Sequence, residues 1–245
     1  MQTRSLLGLL AAGLGALGVS NASATWAASI APVIAINGST LDTGALGCVS
    51  SGGGIVRCEG MNLVGSGYEL TSWSFEFDAD PTLSGSFTLT NLSSSTLPFT
   101  VSATLGISPV GPSVSTTGSV GAGTLTDLNA NGATLTDSGF SIYTTEIDGS
   151  PVHMLLDPHQ SYTAPADPLG GPSSVTIPMQ SFGPDVLAQA ANSTITASFG
   201  FMLTAGDSVS FPFTFDVQPV PEPTTALLLG SGIAGLVLLG RGKRS

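Results

Sequence analysis

The chain has 245 residues, 42% hydrophobic and 9% charged, with 5 Lys and Arg against 16 Asp and Glu and a formal charge of −11. Arg4, Arg241, Lys243 and Arg244 sit at the extreme ends and leave Arg57 alone in the body, a surface that repels phosphate and excludes DNA and RNA as partners. The low charge, and Gly 32 with Pro 16 at about a fifth of the chain, also exclude a charge-rich or low-complexity disordered chain.

The first segment reads as an export signal. Arg4 supplies a positive start, Leu6 to Val19 is an uncharged apolar run, and Ala22-Ser23-Ala24 offers the small residues that signal peptidase needs. Cleavage is expected after Ala24, giving a signal peptide over 1–24. An uncleaved anchor is the competing reading, but the run is shorter than the ~20 residues of a membrane span. Cys48 and Cys58 follow, flanking the glycine-rich VSSGGGIVR. In an exported chain two such cysteines predict a disulfide across a hairpin. Metal or catalytic thiols would call for more ligands or a closer pair.

The body, 25–217, alternates with a period of two. SWSFEFD places Trp73, Phe75 and Phe77 on one face, and LPFTVSATLGI places Leu97, Phe99, Val101, Ala103, Leu105 and Ile107. STITASFGFML does so with Ile195, Ala197, Phe199, Phe201 and Leu203, and SVSFPFTFDV with Val209, Phe211, Phe213, Phe215 and Val217. Each segment predicts a strand with one buried and one wet face. Pro98 and Pro212 fall on the outward register and suggest edge positions. Turn residues cluster at 78–81, 106–112, 129–132, 148–151 and 165–172, and Asp185–Asn192 is the one short helix candidate. The expectation is an all-β chain: one antiparallel β-sandwich, jelly-roll or immunoglobulin-like, with strand order open.

Several constellations invite chemistry. Asp127, Asn129, Asn131 and Gly132 match D-x-[DN]-x-[DN]-G, the first half of a calcium loop. Ser138 stands twelfth, where a glutamate is wanted, and Asp137 comes one place early. The rival reading is an Asn131-Gly132 hairpin turn between the near-duplicate arms TLTD at 124–127 and 134–137, and the two can coexist. No other cofactor is expected. Asp78 with Asp80, and Glu146 with Asp148, are the carboxylate pairs a glycoside hydrolase would draw on, against plain solvated turns. His153 and His159 match no common zinc spacing; a Ser–His–Asp triad stays open, although no G-x-S-x-G nominates its nucleophile. Trp26, Trp73, Tyr68, Tyr143 and Tyr162 are the side chains from which a carbohydrate-binding platform would have to be built. TNLSSST and SVSTTGS admit O-glycosylation or ordinary strand solvation, and Asn91-Leu92-Ser93 and Asn192-Ser193-Thr194 match the N-glycosylation acceptor. The acidic stretch 157–172 reads as a loop.

The tail, 218–245, has three parts. Val220-Pro221-Glu222-Pro223 is extended and accessible, because its prolines forbid a helix or an interior strand. The segment 224–240 is uncharged, and Ala226–Gly240 would be roughly 22 Å long as a helix, short of a ~30 Å hydrocarbon core. Arg241, Lys243 and Arg244 within 241–245 would remain cytoplasmic and leave the body outside. With the signal peptide, this order resembles the PEP-CTERM sorting domain of exported Gram-negative proteins. The resemblance covers about the last 25 residues. It implies recognition of Pro221, Glu222 and Pro223 by an exosortase-like membrane enzyme and removal of the tail. It also implies a protein passed through the inner membrane to the cell surface or matrix, in company with exopolysaccharide. Membership assigns sorting, not activity. A structural or adhesive, non-enzymatic role is the expectation; a carbohydrate-binding module or polysaccharide hydrolase is the alternative.

Overall fold

Side chains that alternate between Phe, Val or Leu and Ser or Thr need a dry partner on one face and water on the other, and two stacked sheets provide both. A computed structural model describes residues 32–139, 141–157 and 160–220. The expected signal peptide with Ala22 and Ala24, Trp26, His159, Pro221, Glu222, Pro223, the 224–240 segment, Arg241, Lys243 and Arg244 lie outside the described residues.

Among the described residues the elements are β1 (Val33–Ile36), β2 (Ser39–Thr40), β3 (Cys48–Gly52), β4 (Ile55–Val64), β5 (Tyr68–Asp78), β6 (Thr82–Asn91), β7 (Leu97–Gly106), β8 (Val114–Val120) and β9 (Gly123–Asp127). They continue with β10 (Ala133–Asp137), β11 (Tyr143–Ile147), β12 (Ser150–Leu155), β13 (Ser161–Ala164), β14 (Ser173–Ile177), β15 (Gln180–Leu187), β16 (Thr194–Leu203) and β17 (Ser208–Pro219). No helix among them is long and apolar enough to cross a membrane.

All pairings are antiparallel and form two sheets. In the first, of 8 strands, β16 is flanked by β7, β1 and β2 on one side, and on the other by β11–β12 and β10–β13 placed end to end. In the second, of 9, β17 is flanked by β6, β5, β4 and β3, and on its other side by β9–β14 and β8–β15. The all-β, two-sheet antiparallel expectation is met. Each sheet is organised around one long strand that carries two short ladders in tandem.

Phenylalanines fill the space between the sheets. Phe87 meets Phe199 edge-on with ring centroids 5.0 Å apart, and Phe199 stacks on Phe211 at 5.2 Å, so rings from both sheets interdigitate. Trp73 is buried across the outer strands, its Nε1 donating to Leu46 O at 3.0 Å. Its indole occupies the space over Gly60, where a Cβ would fall 2.2 Å from the ring. Cys48 and Cys58 sit directly opposite on β3 and β4 and form the expected disulfide.

Four local expectations are corrected. Pro98 and Pro212 lie in interior strands. Pro98 is beyond the reach of β1, which pairs with β7 only from Val101 to Thr104. Pro212 falls in the gap between the β9 and β8 ladders on β17, so neither missing N–H breaks a ladder. Asp185–Asn192 is no helix, because Asp185 to Leu187 pair with β8 as the end of β15. The TLTD arms form no hairpin: β9 belongs to one sheet and β10 to the other, with an arch between them. Finally, the loop 157–172 contains β13, paired with β10.

Candidate functional site

The wet face of the first sheet is tiled with hydroxyls. Strand register lines up Met154, Thr144, Ser198 and Ser102 across four strands, with Ala35 next on β1. The neighbouring row brings Pro151, Glu146, Thr196 and Thr104 side by side, and Thr104 and Thr196 share a hydrogen bond of 3.0 Å. Over this face lies an open groove of about 490 Å³. It is lined by Ser102, Thr144, Ser198 and Gly200, with Met154 and Pro151 on the β12 side. Ser138 Oγ lies 2.9 Å from where a Cβ on Gly200 would stand, so the two residues approach closely in the groove lining. Glu146 is the one carboxylate among the described lining residues. Such a surface can donate and accept hydrogen bonds along an extended polar chain.

The suggested acids separate. Asp148 turns away from the groove and clamps the segment before β16. It accepts from the backbone N–H groups of Asn192 at 2.8 Å, Ser193 at 2.7 Å and Thr194 at 3.0 Å, and from Ser193 Oγ at 2.8 Å. Partial burial pushes its carboxyl up, but the backbone and hydroxyl donors outweigh that and hold it down at about 2. Asp78 Oδ1 accepts from Asp80 N at 3.0 Å, a local turn. Neither pair flanks a cleft. The aromatic side chains are spent on the core, with Tyr68, Trp73 and Tyr143 buried and Tyr162 packed partly buried against it. Burial pushes the Tyr143 phenol far up, and its hydroxyl donates to Thr214 O at 3.0 Å across the sheets.

His153 bridges the sheets at one edge. Its ring stacks on Phe182 with centroids 3.9 Å apart, its Nε2 is 2.8 Å from Thr116 Oγ1, and its Nδ1 is 3.8 Å from Asp185 Oδ2. Desolvation lowers the imidazole pKa while Asp185 opposes it. The order hydroxyl, imidazole, carboxylate resembles a triad, yet Thr116 is fully buried and offers no accessible nucleophile.

At one end of the sandwich four connections cross between sheets, from β6 to β7, β9 to β10, β13 to β14 and β16 to β17. Buried Asn91 ties two of them, its Nδ2 donating to Ser95 O and Leu203 O at 2.9 Å each. That burial and bonding occupy the amide that the acceptor pattern at Asn91 would require to be free. The candidate calcium residues lie at the β9–β10 connection. Asp127 is fully buried and accepts from Asn129 N at 3.2 Å and Gly132 N at 2.8 Å. Asn129 Oδ1 accepts from Asn131 N at 3.2 Å, and Asn129 Nδ2 donates to Ala205 O at 2.7 Å. The twelfth residue, Ser138, is on the groove side instead. Asp207, from the β16–β17 turn, takes its place beside Asp127. It is also fully buried, accepts from Thr204 Oγ1, and has an Oδ1 without a hydrogen-bond partner. Burial first, and then the adjacent Asp127 carboxyl, push Asp207 up, against the pull of Thr204 and the Leu128 N–H. No sequence motif marks Asp207, because its relation to Asp127 exists only through the fold.

No family model matches the chain, and no curated protein does. Among solved structures, a putative aldose 1-epimerase from Escherichia coli K12 is similar over 71% of this chain and 68% of that one, at 16% identity and a TM-score of 0.25. A likeness that weak assigns no activity.

Proposed function

We propose that this is an exported, non-enzymatic surface or matrix protein whose body adheres to neutral polysaccharide through the hydroxyl-lined groove. The observation that supports it is the register that aligns Thr144, Ser198 and Ser102 beneath an open groove containing one carboxylate. Sugars are held by such oriented hydroxyl and carboxylate groups, and a net charge of −11 disfavours acidic polymers. The disulfide suits an oxidising compartment. The PEP-CTERM-like tail supplies the route, with Pro221-Glu222-Pro223 as the substrate of an exosortase-like enzyme. A hydrolase would need a second carboxylate about 5–10 Å from Glu146 across the groove, and the neighbouring Asp148 is engaged elsewhere.

The test is co-sedimentation of the purified body with neutral and acidic polysaccharides, alongside a reducing-end assay. Ser198→Ala and Thr144→Val remove the central hydroxyls with little change in volume. Retention on neutral polymer that falls about tenfold in the double variant, roughly 1.4 kcal/mol, without release of reducing ends, is the expected result. Unchanged retention contradicts the groove as the contact surface. Reducing ends that vanish in Glu146→Gln would instead make the protein a hydrolase.

A further inference from the structure

Two fully buried carboxyls, Asp127 and Asp207, lie within hydrogen-bonding reach of each other, and among the described residues no cationic side chain serves them. Arg57, the only Lys or Arg of the body, is committed to Glu76 at 2.7 Å. Like charges placed together in a dry site strongly oppose joint ionisation. The orphaned Asp207 Oδ1 adds the cost of an unmet buried polar atom. The contact is fixed from both sides. Thr134 N donates to Thr204 Oγ1 at 2.8 Å, Thr204 N donates to Thr134 O at 3.1 Å, and Asn129 Nδ2 holds Ala205 O. The arch and the β16–β17 turn therefore cannot part to relieve the repulsion without giving up these bonds.

We propose that Asp127 and Asp207 jointly bind a calcium ion that pins the β9–β10 arch to the β16–β17 turn. The donors are all oxygen: the two carboxylates and the hydroxyl of Thr204, which is bonded to Asp207. Oxygen donors and two negative charges, with no sulfur or imidazole among them, suit a hard cation and not zinc. With two carboxylates, affinity belongs in the ~10⁻⁴–10⁻³ M range of extracellular modules. This inference does not rest on the polysaccharide reading; the ion acts at the end of the sandwich, whereas the groove lies on a sheet face.

The experiment uses the purified, disulfide-bonded protein, with calcium chloride as probe and chelator as the reference state. Calorimetric titration should give one saturable site per chain, and millimolar calcium should raise the melting temperature by several degrees through linkage. Asp207→Asn, which keeps size and hydrogen-bonding capacity, should weaken calcium binding by about tenfold or more and abolish the thermal shift. Asp80→Asn, at an exposed turn, should leave both intact and excludes diffuse binding to an acidic surface. The proposal is overturned if chelator and calcium give the same melting temperature in the unsubstituted protein, which would leave a shared proton as the group between the carboxyls. A calcium response that survives Asp207→Asn overturns it equally.

Discussion

Asp148 shows how much one exposed side chain can organise. It sits at a left-handed backbone position, φ 52°, and receives donors from three consecutive residues before and at the start of β16. Asp148→Ala should cost about 1–2 kcal/mol, since several bonds to an ionised acceptor are lost while water partly replaces them. Asp148→Asn tolerates the backbone and isolates the charge. The folded pKa of about 2 lies below the ordinary 3.8, so the contribution is complete above roughly pH 4 and lost as pH falls toward 2. Denaturant midpoints across that window should drop more steeply in the unsubstituted protein than in Asp148→Asn. Parallel profiles would contradict the assignment. None of this was legible from residue type alone. An Asp before Gly reads as a turn, and its real partners, Asn192 to Thr194, become visible only when β11 and β16 pair.

At the scale of elements, the clearest stretches of alternation became β5, β7, β16 and β17, and their apolar residues form the core. What the local pattern could not reveal was which strand each one joins. Asn131-Gly132 between two TLTD segments has every mark of a hairpin, yet Leu125 pairs toward β17 and Leu135 toward β16, so the chain changes sheets there. Proline was misleading for a similar reason. A strand can be interior and still have a gap in its ladder, as at Pro212. Two predictions belong here. Gly60→Ala would force a Cβ into the Trp73 ring and should destabilise by about 1–3 kcal/mol through overpacking, with the Trp73 environment shifted in near-ultraviolet circular dichroism. Cys48→Ser with Cys58→Ser removes the staple of the β3–β4 edge. The chain-entropy account gives about 3 kcal/mol, or roughly 6–12 °C in melting temperature at this size. A loss below one degree would mean that edge folds independently of its covalent closure.

Across the whole molecule the sequence announces handling more clearly than purpose. On the proposed reading, Arg4 with its apolar run, and Pro221 to Arg244 at the other end, are contiguous signals that a membrane enzyme would read before folding. The groove and the Asp127–Asp207 contact have no contiguous signal. Glu146, Ser198 and Ser102 share a surface because β11, β16 and β7 are neighbours, and Ser and Thr are too abundant in this chain for any one to stand out. The proposal joins the two: a sandwich with polar outer faces and a phenylalanine core, which detachable ends would carry out of the cell. Its central claim is therefore processing. The chain should be expressed in a host carrying an exosortase-like enzyme and in the same host without it, and both termini of the recovered protein measured by intact mass. The account predicts an N-terminus following Ala24 in both strains, with Ala226–Ser245 lost only where the enzyme is present. An intact C-terminus in both strains would contradict it and leave a membrane-anchored protein.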